Sequence, residues 1–447
     1  MSSSFSNTIS RVVERHHGGI KVPDIDHTHG NKPTKFPIPN KVRIPMSMHM
    51  GAPCKPLVKR GDEVQVGQII ADSEALLSAP IHASVSGKVT GISVGELDAA
   101  GNKTTLIEIE SDGKMTPWSE IKIPNINSRQ DFIQSVRDSG VVGLGGAGFP
   151  TSVKFATDQK IEILIANGAE CEPYNTSDYY TMQYRTKEML NGLKESMKWL
   201  NIDQGIIFVE ENKMSAVEEI IKLLETKSDQ YPNIKVMVAP VLYPRGAEKV
   251  VIQMTTGRVV PAGKLPADVN VLVSNVTTLA EIGKFLETGV PLIDKVVTVD
   301  GQAIREPQNV LVPIGTEIYE ILKFCDLDES IVESVIMGGP MMGVAVGDIN
   351  SPLIKMNNAI LAMTKAERGD CPATECIRCA KCVRGCPMKL SPTIMYKAIM
   401  KENLDQAKEI GVMNCIECGA CSYSCPADIA LVHWFRQAKS AIRTKER

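Results

Sequence analysis

Cys376-Ile-Arg-Cys379-Ala-Lys-Cys382-Val-Arg-Gly-Cys386-Pro387 is followed by Cys415-Ile-Glu-Cys418-Gly-Ala-Cys421-Ser-Tyr-Ser-Cys425-Pro426. Both stretches read C-x2-C-x2-C-x3-C-P, the run that ligates [4Fe–4S] clusters. Three closely spaced thiolates wrap three iron corners, and the turn that follows swings the fourth cysteine away. In two-cluster proteins that fourth cysteine ligates the other cluster. The expected ligand sets are therefore crossed: Cys376, Cys379, Cys382 and Cys425 for one cluster, and Cys415, Cys418, Cys421 and Cys386 for the second. Zinc needs only four ligands, which C-x2-C pairs supply without a third cysteine or a C-P ending. Two complete copies favour iron–sulfur chemistry.

Nine of the twelve cysteines fall between Cys371 and Cys425. In a chain of 447 residues such crowding points to metal rather than to a disulfide framework. Cys371 is spare, while Cys54 and Cys325 read as packed small apolar residues. From Lys365 onward, 14 Lys/Arg stand against 9 Asp/Glu. An oxidised cluster with its four thiolates carries about −2. The local excess either neutralises the two clusters or forms a docking surface for an acidic electron carrier. Over the whole chain 49 basic residues meet 52 acidic ones, so no basic field for nucleic acid is present. A hydrophobic content of 43% with 23% charged residues is that of a soluble globular protein and excludes disorder. The longest uncharged runs, such as 139–153, are full of glycine and short of the roughly 18 apolar residues of a membrane helix. The opening MSSSFSNTISRVVERHH lacks the apolar core of a secretory signal, which predicts a cytoplasmic chain without a direct membrane span. Membrane contact would come through partner subunits.

The length suggests about three domains, and the sequence changes character along the chain. Up to about residue 114, short β-like runs (VRIPM, EVQVGQIIA, SAPIHASVSGKVTGI, TTLIEIE) alternate with Gly and Pro and predict a small β module. From about Ser128, DFIQSVRDSG, TMQYRTKEMLNGLKESMKWL and MSAVEEIIKLLETK read as helices. IEILIANG, GIIFVE and NIKVMVAP read as strands, giving an α/β unit with a mostly parallel sheet. A further β-rich stretch lies between Pro291 and Met342, and after Ser351 the sequence is expected to be helical and cysteine-rich. The expected organisation is multidomain α/β plus α+β, with units 1–115, 116–288, 289–350 and 351–447.

Gly143-Leu144-Gly145-Gly146-Ala147-Gly148-Phe149-Pro150-Thr151 precedes Lys154. Consecutive glycines let backbone N–H groups approach an anion closely, and a lysine adds charge for a phosphate. The loop follows a helix, not a strand, so it is no dinucleotide fingerprint, and it has no Gly-Lys-Ser/Thr. Three polar clusters follow predicted strands: Asn167-Gly168-Ala169-Glu170-Cys171-Glu172, then Gly246-Ala247-Glu248, then Ser274-Asn275-Val276-Thr277-Thr278. The carboxyl ends of such strands are where α/β sheets bind ligands, so the three clusters fit one crevice.

GLGGAGFPT with Lys154, followed by NGAECEP, resembles the flavin- and NADH-binding subunit of respiratory complex I and its relatives. The wider arrangement resembles the RnfC component of the Rnf complex, a bacterial ion-translocating ferredoxin:NAD oxidoreductase. That likeness takes in His17-Gly18-Gly19-Ile20, His49-Met50-Gly51-Ala52-Pro53, Gly61-Asp62-Glu63-Val64, Pro80-Ile81-His82-Ala83-Ser84-Val85-Ser86-Gly87 and both cysteine runs. The resemblance implies FMN, NAD(H) as substrate, two [4Fe–4S] clusters, and a peripheral place on the cytoplasmic face of the membrane. Partners would be the other subunits, a ferredoxin-like cluster protein among them.

By the same resemblance, FMN would lie against Gly143, Gly145, Gly146, Lys154, Asn167 and Glu170, with Gly246, Asn275 and Thr278 completing the pocket. Phe149 would stack on the nicotinamide nucleotide, and Glu172 and Glu248 would hold its amide and ribose groups. The complex I relatives place an aromatic residue near Thr157 and acids at Ala169 and Ala247, all absent here. The first β module resembles a biotinyl/lipoyl-type barrel-sandwich hybrid, but Glu74-Ala75-Leu76-Leu77 offers no carrier lysine at a hairpin tip. Residues 296–324 resemble a soluble-ligand-binding β-grasp module.

A flavin accepts a hydride and passes single electrons, so it stands between NADH and the clusters. No catalytic acid–base side chain is required. Two alternatives are a microcompartment cobalamin reductase, built of related modules in another order, and a cluster-bearing adaptor without nicotinamide chemistry.

Overall fold

The alternation of apolar runs and amphipathic stretches after residue 128 becomes a five-stranded, all-parallel sheet in the computed structural model, which describes residues 9–12, 18–28, 31–368 and 371–446. The signal-peptide reading of the first residues, and His17 of the His-Gly-Gly-Ile motif, fall largely outside the described residues. The strands are β1 (Ile9–Arg11), β2 (Ile163–Gly168), β3 (Gln204–Glu210), β4 (Ile234–Ala239) and β5 (Val271–Asn275), in the order β1-β4-β3-β2-β5. Helices α1 (Arg129–Asp138), α2 (Thr151–Phe155), α3 (Ser177–Tyr184), α4 (Thr186–Leu200), α5 (Met214–Thr226), α6 (Glu248–Thr256) and α7 (Val276–Thr288) surround it.

Successive strand side chains point to opposite faces, and both faces are buried. Leu164, Ala166 and Ile207 pack with Leu190, Leu193 and Leu279 of α4 and α7 on one side. Ile165, Phe208 and Val273 pack with Val250, Val251 and Met254 of α6 on the other. The α4–α7 contact is close because glycines permit it: a Cβ on Gly192 would sit 1.9 Å from the Leu279 carbonyl oxygen. Residues 181–200 do not form one helix as expected. Arg185 leaves helical geometry between α3 and α4, and its guanidinium pairs with Glu188 and with Glu281 on α7.

From β2 the chain winds outward through β3 and β4, then crosses back to place β5 on the far side of β2. The strand order therefore reverses between β2 and β5. At that point the loops leaving the two carboxyl ends diverge and open a crevice.

Lys41–Pro45, Lys103–Ser111, Gly87–Leu97 and Glu63–Val64 make a four-stranded sheet facing a three-stranded one of Lys55–Pro56, Ile69–Asp72 and Ile81–His82. The turn between the last two strands carries Leu76 at 84% exposure and no lysine. The core of this module (Val42, Ile44, Ile70, Ile107) is continuous with that of the α/β unit. The residues before Lys41 serve other sheets: β1 pairs with β4, and Thr34–Lys35 runs parallel to Gln308–Pro313.

A mixed six-stranded sheet is built on the hairpin Asp294–Asp300/Gln308–Pro313 with the helix Ile318–Phe324. The stretch after Ser351, expected to be helical, first supplies a strand. Ala359–Thr364 runs parallel to Asp294–Asp300 and antiparallel to Val332–Met337. Its sequence AILAMT is a short, uncharged apolar run, as a buried central strand requires. The helical part begins at Lys365 and contains Pro392–Met400, Leu404–Glu409 and Leu431–Lys445 around Met395, Val412 and Phe435. No helix of the described residues is long and apolar enough to cross a membrane.

Candidate functional site

The glycine loop lies over the point where the strand order reverses. Its ends are tied by Gly143 N–H to the Phe149 carbonyl (2.8 Å) and Gly148 N–H to the Gly143 carbonyl (3.0 Å). The Leu144 N–H donates to Thr278 Oγ1 at 3.0 Å, which fastens the loop to the first turn of α7. Gly145, Gly146 and Ala147 are exposed between these anchors. A Cβ on Gly145 would meet the Asn275 side chain at 3.2 Å, whereas one on Gly146 would project into open space. The loop is thus a backbone cradle facing Asn275, with Phe149 half-buried at its end. Such a surface suits a flat ring or a phosphate.

Asn275 ends β5 and caps α7, accepting from the Thr277 and Thr278 N–H groups (2.9 and 3.2 Å). Its amide donates to Asp178 at 2.7 Å, and Thr277 donates to the other oxygen of that carboxylate. Asn167, at the end of β2, donates to the Gly246 carbonyl at 2.9 Å. Glu170 accepts from the Asp178 and Tyr179 N–H groups at the start of α3 (2.8 and 3.0 Å). Burial, with Asp178 beside it, pushes the Glu170 pKa up to about 8. Lys154 reaches Glu248 Oε1 at 2.6 Å and the Val273 carbonyl at 2.7 Å, both side chains remaining partly exposed.

The residues singled out in the sequence thus converge from the ends of β2 and β5, the glycine loop and the start of α6. Asp178 gave no signal: its role depends on Asn275, 97 residues away. Glu210 at the end of β3 was also missed. It is fully buried, neither oxygen has a well-formed hydrogen bond, and burial raises its pKa to about 7.

Glu172 turns toward Tyr243 and the backbone at Met341. Its carboxylate accepts from the Tyr243 hydroxyl (3.2 Å) and the Met341 N–H (2.9 Å), and burial lifts its pKa to about 6. The same Tyr243 hydroxyl lies 2.6 Å from the Cys418 carbonyl oxygen. Tyr243 therefore stands in a wall shared by the crevice and the cysteine-rich module, a position its local sequence does not announce.

The eight motif cysteines surround two cavities. One, of about 200 Å³, is lined by Cys376, Cys379, Cys382 and Cys425 together with Thr393 and Lys397. The other, about 20 Å³, is lined by Cys386, Cys415, Cys418 and Cys421 with Leu390 and Phe435. Each cavity takes its fourth cysteine from the opposite motif. Among the described residues no three acidic, histidine or cysteine side chains converge as a single ion needs. The donor sets are instead all-thiol quartets drawn from two C-x2-C-x2-C-x3-C-P runs, which suit clusters. The two motifs repeat one backbone path: Arg378, Ala380 and Lys389 adopt positive φ, as do Glu417, Gly419 and Asp428 at matching places. The turns aim N–H groups at sulfur, with Glu417 N–H to Cys415 and Leu390 N–H to Cys386 both at 3.4 Å. Cys376 is exposed while Cys418 and Cys421 are buried, so the second quartet faces inward. Cys54 and Cys325 are buried and Cys371 exposed.

Three family models match in sequence order: the RnfC barrel sandwich hybrid domain over residues 14–114, the Nuo51 FMN-binding domain over 136–284 and a 4Fe-4S dicluster domain over 372–426. The chain is 40% identical over 411 residues to the C component of the proton-translocating ferredoxin:NAD(+) oxidoreductase complex of Clostridium ljungdahlii, covering 89% of this chain and 87% of that one. It is also 40% identical over 437 residues to the C component of the Na(+)-translocating ferredoxin:NAD(+) oxidoreductase complex of Acetobacterium woodii, covering 96% and 97%. The chain belongs to the RnfC family. Among solved structures, an NAD+-reducing [NiFe]-hydrogenase in the H2-reduced state matches with a TM-score of 0.51 at 16% identity, over 70% of this chain and 63% of that one. That is a likeness of fold. The family match covers the barrel sandwich, the α/β unit and the cluster module of this RnfC chain, and so embraces both the crevice and the quartets.

Proposed function

We propose that this chain is the NAD(H)-reacting subunit of a membrane-bound, ion-translocating ferredoxin:NAD oxidoreductase, moving electrons between nicotinamide, FMN and two [4Fe–4S] clusters. The observation that carries the reading is Tyr243, whose hydroxyl touches Glu172 on one side and the Cys418 carbonyl on the other. A nucleotide crevice and a cluster-type quartet that share one wall are arranged for electron passage.

The open cradle at Gly145 and Gly146 and the donors around Asn275 suit FMN, with Gly143, Lys154, Asn167, Glu170, Gly246 and Thr278 supporting them. Bound flavin would supply the conversion of a hydride into single electrons. The chain's own residues fix its place: the loop amides and Lys154 face anionic groups, while Asn167 and Asn275 offer amide hydrogen bonds. Phe149 and Glu248 border the side where nicotinamide enters, and Glu172 forms the wall behind it. Cys376, Cys379, Cys382 and Cys425 hold the outer cluster, with Cys386, Cys415, Cys418 and Cys421 holding the inner one.

The units are a barrel-sandwich module to about 115, an α/β nucleotide unit to about 288, a β-grasp module, and a cluster module to the carboxyl terminus. The strand Ala359–Thr364 belongs with the β-grasp sheet. The protein sits peripherally on the cytoplasmic face. Full-length likeness to the two oxidoreductase components favours this over a cobalamin reductase or a nicotinamide-free adaptor.

Anaerobic mixing of reconstituted protein with NADH should bleach the flavin and then the clusters. Protein with about eight irons that takes up no flavin from excess FMN would defeat the reading.

A further inference from the structure

We propose that residues 18–28 form a strap that positions the inner quartet, Cys386, Cys415, Cys418 and Cys421, against the nucleotide crevice. The inference rests on the functional reading above and adds a positioning element to it.

At its start the strap is wedged between the two modules. The Gly19 N–H donates to the Gly385 carbonyl at 3.0 Å, beside the ligand Cys386. Ile20 and Tyr243 exchange backbone hydrogen bonds of 2.8 and 2.9 Å, and Tyr243 in turn holds the Cys418 carbonyl. One short stretch of main chain therefore binds the loop preceding one inner ligand and the residue that grips another.

The fit leaves no room for side chains. Gly18 and Gly19 have φ of +97° and +93°, a region costly for any residue with a Cβ. A Cβ on Gly18 would lie 2.4 Å from the Cys386 carbonyl oxygen, and one on Gly19 would lie 2.7 Å from the Leu242 side chain. Bare backbone at this point lets the two modules approach.

Beyond the wedge the strap runs along the carboxyl edge of the parallel sheet. The Ile25 carbonyl accepts from the Tyr174 N–H at 2.7 Å, Asp26 pairs with the buried Lys213 at 3.0 Å, and His27 meets Asp300 at 2.9 Å. It is anchored on the α/β unit and the β-grasp sheet while its glycine end holds the cluster module. That module has a core of its own, so its distance from the crevice depends on such ties. Electron transfer falls steeply with separation, so the ties that set this distance set the rate.

The test is Gly18→Ala in the full-length, FMN- and cluster-loaded protein, followed by anaerobic stopped-flow with NADH. Flavin bleaching should keep its wild-type rate while cluster reduction slows severalfold. Hydrogen exchange should show the Ile20 and Tyr243 amides losing protection. If Gly18→Ala loads fewer clusters, Gly19→Ala replaces it, since its Cβ meets a movable side chain and perturbs less. Cluster reduction at the wild-type rate, or an equal slowing of flavin bleaching, would overturn the strap. A variant that melts earlier yet keeps its flavin-to-cluster rate would also overturn it, by showing a merely stabilising role. If wild-type flavin is not bleached by NADH, the functional reading itself falls, and the strap with it.

Discussion

Glu170 accepts two backbone N–H bonds at the start of α3, yet burial beside Asp178 raises its pKa from 4.5 to about 8. Between those values the folded protein holds a proton that the unfolded chain has released. This contribution to stability is complete below about 4.5 and is lost as pH rises through about 8. Glu170→Gln removes the titration but turns an amide donor toward one N–H, at a cost of about 1–3 kcal/mol. In flavin-free protein the variant should therefore melt below wild type near pH 5, and the gap should narrow toward pH 8. A melting difference that stays constant across this range would contradict the assignment. The placement of single residues was legible only where the residue lies in a patterned run. Asn167, Glu170 and Asn275 stand at the ends of apolar strands, whereas Asp178 and Tyr243 take their roles from partners 97 and 175 residues away.

On the proposed reading, the glycine loop separates binding from folding within one element. Gly145→Ala adds a Cβ 3.2 Å from the Asn275 side chain, a crowding that a local shift of a few tenths of an ångström relieves, so the fold should survive while the cradle narrows. Gly148 has φ of +63° and would drive a Cβ to 1.9 Å from the Met356 sulfur. Left-handed geometry alone costs a Cβ-bearing residue about 1–2 kcal/mol. Flavin-to-protein ratio should therefore fall in Gly145→Ala with little change in melting, whereas Gly148→Ala should lower the melting temperature of flavin-free protein. Equal melting losses in the two would refute the division. Most strands and helices were legible because apolar period and Gly/Pro punctuation are local signals. The break at Arg185 was not, since the guanidinium there pairs with Glu281 on another helix. Nor was the course of residues 18–28, whose partners Tyr174, Lys213, Tyr243 and Asp300 lie far away in sequence. The crossed grouping of the eight motif cysteines around two cavities was legible because the C-P turn is written in the motif itself.

Across the molecule the hydrophobic core is divided unequally. Val42, Ile44 and Ile107 of the barrel sandwich pack in one continuous cluster with Phe132, Leu164 and Leu279 of the α/β unit. Lys355 rivets this junction, donating to the Pro80 and Gly140 carbonyls at 2.7 Å each. The cluster module instead relies on a small core around Met395, Val412 and Phe435, immediately beside the inner quartet. A module of under 80 residues with so small a core needs further cross-links, and iron–sulfur ligation supplies them. Removing iron with a chelator under mild oxidation should therefore split the calorimetric profile. A transition for residues 371–446 should move to lower temperature, with protease cleavage appearing there first. The transition of the shared core should keep its midpoint, because that core contains none of the eight motif cysteines. If both fell together on iron loss, the two cores would be one cooperative unit, and ligation would be stabilising the nucleotide unit as well. The outer quartet, with Cys376 exposed, should surrender its iron before the inner one. The early stage of chelation should then remove about half the iron while leaving the strap and the Tyr243–Cys418 contact protected from hydrogen exchange.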